Sequence, residues 1–524
     1  MKTIKIKSVL FLSVLGLLLG ISACTKNFDK LNTDPNAPSF VPTSYLLTCA
    51  EKGLMDFTWD RWWNASTGMI LSEYYAENLY TNESQFFFRT NLTYQYWGYF
   101  YGSGINDQGN GQVVVAGMKN LQTIIDECNA TPTKYSLYGD VRLQKGVSTV
   151  LEVWEFQNLT DTWGDIPYSQ ALKDVKNTQP AYDKQQDIYN GLLTQIDSAI
   201  AWLTAGQGGT ALQGDLIYGG DPTHWIAFAN SLKLRVAIRI ADRNPTLAGQ
   251  KIAEAYAGAF TKVEDEALFN YISTGPNYNP LYYDRFVNGR TDFCAANTIV
   301  DPMNALNDPR LPFYFDTASN GLYVGRPFGQ NGSDAGNTEL SAVSQPSGAG
   351  NGGTATNGAP GTLAATAQGV FMDYAQVEFI LAEAAERGFA VGGSAQSYYN
   401  AGIQASFDHW GGGYTGAMSA TAYLAQSGVD YAAQKTAGKT WRQIIGKQKW
   451  IALYMQGIQG WVEYRRLDFG ILQAPVDGYL VGNAIPVRMQ YPFNESQLDP
   501  TGYNAAIADQ GPDVMSTKVW WDAN

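Results

Sequence analysis

The segment Tyr80-Thr81-Asn82-Glu83-Ser84-Gln85-Phe86-Phe87-Phe88-Arg89 mixes aromatic rings with amide, hydroxyl, carboxylate and guanidinium groups and follows no clean amphipathic period. Such a mixture suits a sugar. A ring face packs on the apolar C–H face of a pyranose, while amide, hydroxyl and guanidinium groups bond its hydroxyls. Tyr80, Asn82, Phe86, Phe88 and Arg89 are therefore candidate ligand residues, joined by Tyr282 from a second cluster, Tyr278, Tyr282 and Tyr283. Tyr94, Trp97, Tyr99 and Tyr101 follow the first cluster closely; Trp97, like Phe87, is expected to pack in the core.

Other chemistry finds little support. His224 and His409 are the two histidines, which excludes a multi-histidine metal site, and each sits where a surface or capping role suffices. Gly438-Lys439-Thr440 precedes a helix like the end of a phosphate loop. Ala433, however, stands where that loop needs glycine for close backbone approach, and no apolar strand precedes it. There is no G-x-S-x-G elbow, no HExxH and no full EF-hand loop, and Asn106-Asp107-Gln108-Gly109-Asn110-Gly111 reads as a polar turn. Asp and Glu number 48, so a carboxylate pair for glycoside hydrolysis stays open. Its separation of roughly 5–9 Å is invisible in a sequence. No cofactor and no metal is implied.

Composition narrows the partners. Lys and Arg total 35 against those 48 acids, a formal charge of −13, and this argues against nucleic acid, which needs clustered cations. Charged residues are only 16%, whereas Trp, Tyr and Phe number 14, 32 and 23, a profile suited to a secreted protein that handles carbohydrate or peptide. The N-terminus agrees with export. Lys2, Lys5 and Lys7 precede the apolar run Val9 to Ile21, whose 13 residues fall short of the ~20 that span a bilayer. The run ends Ile21-Ser22-Ala23-Cys24, which looks like a bacterial lipobox. Residues 1–23 are thus expected to be a lipoprotein signal peptide, with Cys24 acylated and anchoring the mature chain to a membrane. Removing the leader's three lysines takes the charge to −16. Cys49, Cys128 and Cys294 remain, an odd set with no CxxC spacing and no disulfide framework.

The elements that must position these residues are mostly helices. Apolar stripes run through Val114, Met118, Leu121, Ile125 and Cys128, through Val147, Val150, Leu151 and Trp154, and through Ile188, Leu192, Ile196, Ile200 and Leu203. A fourth helix starts near Thr223, read as its N-cap, and carries Arg235 and Arg239 beside its apolar stripe. Tyr374 to Arg387 closes at Gly388, Ser394 caps the next helix, and small residues Ala401, Gly402 and Ala405 allow the pair to approach closely. Another helix is expected from Trp441 to about Tyr464. Length alone allows about three domains. Nothing resembles a hinge, so the reading is a polar lipidated tether over 24–40 and one large helical domain over 41–524. Residues 331–368, rich in Gly and Ala, are expected to form a long mobile surface loop.

Several blocks carry a family resemblance. They include Phe28-Asp29-Lys30-Leu31-Asn32-Thr33-Asp34-Pro35-Asn36, Asp161-Thr162-Trp163-Gly164-Asp165-Ile166-Pro167-Tyr168, Asn230-Ser231-Leu232-Lys233-Leu234-Arg235 and Asp308-Pro309-Arg310-Leu311. Glu378-Phe379-Ile380-Leu381-Ala382-Glu383-Ala384, Trp461-Val462-Glu463-Tyr464-Arg465-Arg466 and Ile485-Pro486-Val487-Arg488 follow in order. Together with the lipobox, the chain resembles the SusD/RagB-type nutrient-binding outer-membrane lipoproteins, nearest the SusD-like branch. The resemblance implies an all-α fold on a TPR-like helical-repeat scaffold with long irregular loops. It also implies a non-catalytic, outer-membrane surface protein that captures oligosaccharides or peptides for a SusC-like TonB-dependent transporter. The motif blocks look structural, with Trp163, Pro167 and Tyr168 fixing a corner and helical Arg and Glu pairing internally, so no ligand residue carries over from them. The competing readings are a lipid-anchored glycan hydrolase and a TPR-type scaffold for protein partners. An exposed aromatic cleft without a facing carboxylate pair separates the receptor from the hydrolase.

Overall fold

The computed structural model describes residues 40–101, 117–173, 177–334, 337–343, 364–411, 419–480 and 484–523. Cys24 and the tether lie outside the described residues. From Thr43 to Asn524 the chain is one compact unit.

Its longer helices are α1 (Thr43–Thr58), α2 (Thr90–Tyr101), α3 (Gly117–Ala130), α4 (Val141–Trp163), α5 (Gln185–Gly206), α6 (Pro222–Arg239) and α7 (Pro245–Ala255). They continue with α8 (Asn297–Ala305), α9 (Tyr374–Glu386), α10 (Ala395–His409), α11 (Trp441–Ala452), α12 (Gly457–Leu467) and α13 (Pro500–Gln510). Neighbours in sequence stack on one another: α3 and α5 flank α4, α6 lies on α5 and α7, and α9 packs on both α10 and α11. This stacking of successive helix pairs is the TPR-like arrangement the sequence implies. Among the described residues the strands are short and form three antiparallel pairs. β1 (Tyr75–Glu77) pairs with β5 (Phe293–Ala295), β2 (Ile166–Pro167) with β3 (Tyr182–Asp183), and β4 (Ala267–Phe269) with β6 (Gly369–Met372).

Several local expectations hold for identifiable reasons. Ser394 and Ser397 form a reciprocal capping box at α10, and Gly388 takes a φ of +76° just after α9. A Cβ on Gly402 would stand 3.0 Å from the Phe379 ring, so α9 and α10 approach as closely as glycine permits. The Asp161–Tyr168 block builds a corner. Trp163 is fully buried against Trp63, Gly164 turns the chain at φ +86°, and Tyr168 and Ser169 both donate backbone N–H groups to Asp183.

Four expectations change. The cap of α6 is Asp221, which accepts the Thr223 N–H at 2.8 Å, because Pro222 occupies the first helical position and needs no acceptor. α4 is buried on almost every side rather than along one stripe, since helices cover it from several directions. The helix expected from Trp441 to Tyr464 is two helices, broken where Met455 adopts φ +71°. The break lets Gly457 press against the backbone of Gly68, where a Cβ would meet the Gly68 carbonyl carbon at 2.2 Å. Lastly, the described parts of 331–368 are tied down. Arg326 donates to the carbonyls of Gln330 and Gly332, Ser341 and Val343 are buried, and Asn279 bonds the backbone of Ala365 and Ala367. The centre of that stretch, 344–363, lies outside the described residues.

The core carries charge as well as hydrocarbon. Glu463 of α12 accepts from Arg239 of α6 at 2.5 Å and Arg466 at 2.6 Å, and lies 3.1 Å from the Lys449 ammonium of α11. Arg466 also forks onto Glu383 of α9, which Arg387 reaches at 2.8 Å. Burial alone would raise the Glu463 carboxyl; the charges of Arg466, Lys449 and Arg239 outweigh it and hold it well below the usual range. These motif residues pair internally and lock four helices together.

Candidate ligand-binding site

Two pieces of irregular backbone build the site. After α1, Asp60 caps a π-helical turn, Arg61–Gly68, accepting the Trp63 N–H at 2.5 Å and the Tyr96 hydroxyl. Burial pushes the Asp60 carboxyl up to about 7 against these bonds. Trp63 is driven into the core against Trp163, whereas the preceding Arg61 and Trp62 stay at the rim. π-turns of this kind are common at functional sites.

The second piece is the loop after β1. The Glu77 N–H donates to Ser84 Oγ at 2.8 Å, and the Ser84 N–H returns a bond to the Glu77 carboxylate at 3.2 Å, closing residues 78–83 into a tight excursion. Within it Tyr80 adopts φ +59°, a left-handed conformation that costs a non-glycine residue on the order of 1 kcal/mol. That backbone leaves the ring 55% exposed. Pairing of Glu77 with Phe293 sets the start of β5 beside this loop, and the Asn78 N–H donates to the Asp292 carbonyl at 2.9 Å. Arg290 therefore reaches the same place from more than 200 residues away.

Arg61, Trp62, Tyr80, Asn82, Arg89 and Arg290 line an open hollow of about 440 Å³. The Arg61 and Arg89 guanidinium carbons lie 4.3 and 4.7 Å from the Trp62 ring centroid, and that of Arg290 lies 5.5 Å from the Tyr80 centroid. Trp62 thus contacts both cations, and Tyr80 is the ring that projects. The carboxylates that hold the arginines sit behind them. Arg89 lies in an ion pair 2.7 Å from Glu83, Arg290 bonds Asp292 at 2.7 Å, and Arg61 reaches Asp292 directly and Asp284 at 3.7 Å. Side-chain exposure is 38% for Arg89 and 34% for Arg290, against 0% for Glu83 and 3% for Asp292. Burial raises the Glu83 carboxyl, opposed by Arg89, and raises its neighbour Glu77 further, with the charge of Glu83 adding to the rise. Burial likewise pushes Asp284 up to about 6, opposed by Arg61. Among the described residues no carboxylate lines the hollow itself.

Arg290 also borders a deeper cleft of about 560 Å³, walled by Tyr75, Asp284, Phe293, Asp316 and Thr338. Arg290 is the lining residue common to the two depressions.

Of the six residues singled out from the sequence, Tyr80, Asn82 and Arg89 come together here. Phe86 is corrected: it is fully buried, 5.5 Å from Phe328 between ring centroids, because it packs into the hydrophobic core. Phe88 packs half-buried against the core near Phe86, and Tyr282 packs between Tyr278 and Phe286; neither lines the hollow. Phe87, expected in the core, is exposed and rests on Tyr479, while Trp97 does pack against the core. Arg61, Trp62 and Arg290 went unnoticed in the sequence. The Arg61-Trp62-Trp63 run was a usable signal for the first two; nothing local marks Arg290.

Residues 35–492 match a SusD-like family described as starch-binding and associating with the outer membrane. The chain belongs to the SusD-like family. A search of curated proteins finds no match. A SusD homologue from Bacteroides uniformis superposes with a TM-score of 0.73 at 26% identity, covering 92% of this chain and 100% of that one. A chitin-binding SusD homologue from Flavobacterium johnsoniae gives 0.72 at 24% identity, covering 92% and 98%. One from Bacteroides thetaiotaomicron gives 0.73 at 22%, covering 93% and 100%. The SusD-like fold is thus shared along nearly the whole described chain. The SusD-like family is one of carbohydrate binders and not of enzymes, and its description places it at the outer membrane. Among the described residues no helix is long and apolar enough to cross a membrane.

Proposed function

We propose that this SusD-like protein is a cell-surface lipoprotein, anchored through acylated Cys24, that captures oligosaccharides and delivers them to a SusC-like TonB-dependent transporter without altering them. The observation that carries the capture step is the hollow itself. A projecting Tyr80 ring, the Asn82 amide and three guanidinium groups converge where no described carboxylate lines the wall. Hydrolysis of a glycoside needs two carboxyl groups facing each other across the sugar. The acids nearest this hollow are instead held behind the arginines by ion pairs. The anchor and the transporter rest on the lipobox and on the family resemblance.

Calorimetry of the mature chain with maltohexaose, chitohexaose and acidic hexasaccharides, with product analysis after prolonged incubation, tests the reading. Binding without turnover, lost in Tyr80→Gly, is expected; turnover of any ligand overturns it. Cys24→Ala is expected to move the protein from the membrane fraction to the soluble one. Co-purification of a barrel transporter from detergent-solubilised membranes checks the partner.

A further inference from the structure

We propose that the hollow selects acidic oligosaccharides, those bearing carboxylate or sulfate groups, through Arg89 and Arg290; this rests on reading the hollow as the glycan site.

The chain as a whole is acidic, with 48 Asp and Glu against 35 Lys and Arg. Its hollow is the reverse: every ionised side chain lining it is an arginine. Each guanidinium is planar, carries five N–H donors and stays charged at any physiological pH. Glu83 engages Arg89 from the protein side, and Asp292 is shared between Arg61 and Arg290. Glu83, Asp292 and, at 3.7 Å from Arg61, Asp284 thus fix the three guanidinium groups from the protein side. The Arg89 and Arg290 side chains nonetheless keep 38% and 34% of their surface in solvent. Trp62 holds Arg61 and Arg89 in place through its ring, so their ordering cost is met before any ligand arrives.

A neutral sugar would use such an array poorly. Hydroxyls bond water as well as they bond arginine, whereas a carboxylate or sulfate accepts two parallel N–H bonds from one guanidinium in the stronger, charge-assisted form. The projecting Tyr80 ring, with Arg290 against it, supplies the face on which the pyranose carrying that anion packs. The Asn82 amide is placed for an adjoining hydroxyl.

Calorimetry on the full mature chain compares hexagalacturonate with its fully methyl-esterified form, a chondroitin sulfate hexasaccharide with maltohexaose and chitohexaose, and a hexaglutamate peptide. The expected result is at least tenfold tighter binding of one acidic glycan than of the neutral ones. That binding should weaken steeply between 50 and 500 mM NaCl and fall tenfold or more in Arg290→Ala and in Arg89→Lys, which keeps the charge but loses the planar fork. Thermal melts check that both variants are folded. Equal or tighter binding of the neutral glycans, lost in Tyr80→Gly, overturns the acidic preference and leaves the receptor reading standing. Binding of no glycan sinks both readings. Acidic binding indifferent to both arginine variants places the site elsewhere and overturns the assignment, and hexaglutamate binding as tightly as hexagalacturonate overturns the sugar class.

Discussion

Arg239 and Arg466 lie in the helical core and Arg89 and Arg290 at its loop-built edge, and the two pairs differ in where their carboxylates stand. In the core, Glu463 and Glu383 are surrounded by cations, and Arg239, Lys449 and Arg466 are out of water, with only Arg387 reaching the surface. At the edge, Glu83 and Asp292 are as buried as any core acid, yet the arginines they hold face solvent. The first arrangement is closed, so its charges serve to register α6, α9, α11 and α12 against each other. The second is half open, leaving donors for something that arrives later. Burial of the carboxylate alone therefore says little about role; exposure of its partner decides.

Breaking one partner in each region should separate the two sharply. Glu463→Gln strands Arg239, Lys449 and Arg466 without their common anion and should cost about 3–5 kcal/mol of unfolding free energy in a denaturant titration, with glycan affinity of the surviving folded fraction unchanged. A smaller effect is expected from His409, whose ring bonds Glu266 at 2.7 Å close to Asp373. Burial pushes its pKa down, but the Glu266 charge and hydrogen bond more than offset this and carry it up from 6.5 to about 9. The folded state thus binds the proton more tightly than the unfolded chain. The contribution is complete below pH 6.5 and lost as pH rises through 9, on the order of 1–3 kcal/mol across that window. Melts of His409→Asn should lack this decline, and a slope unchanged from the parent would refute the assignment.

At the edge, stability should barely respond. Arg290→Ala removes a partly exposed ion pair and should shift unfolding free energy by less than about 1 kcal/mol while lowering acidic-glycan affinity tenfold or more. Smallest of all in stability is Tyr80→Gly. Relief of the left-handed backbone offsets the greater entropy of the unfolded chain, so the melt should move by no more than about 1 kcal/mol in either direction. Ligand affinity should nonetheless collapse. A large drop in melting temperature for either edge variant would show that the hollow is part of the scaffold.

Much of the scaffold was legible because its signals are local. Gly388, Ser394 and the stripe Ile188, Leu192, Ile196 declare a helix end, a cap and a buried face within a few residues. Where local rules failed, a distant contact had overridden them. The Trp441–Tyr464 period runs unbroken in sequence, yet Gly68, some 390 positions earlier, needs the backbone of Gly457 at close range and splits the helix. Of the six candidate ligand residues, three meet at the hollow. Tyr80, Asn82 and Arg89 share one short segment, but within it Phe86 and Phe87 have the same side chain and opposite fates, because one packs on Phe328 in the core and the other rests on Tyr479 at the surface.

The sequence alone determined the family, the helical class and the residue types a sugar site requires, since motif order, 3.6-residue periodicity and composition are properties of the chain read end to end. Only the tertiary structure decided which rings are exposed and which arginines are open. Both depend on β1–β5 pairing and on the π-turn at Arg61, which bring together groups more than 200 residues apart. Exposure is a property of what packs against a residue, and no residue carries that in its own letter.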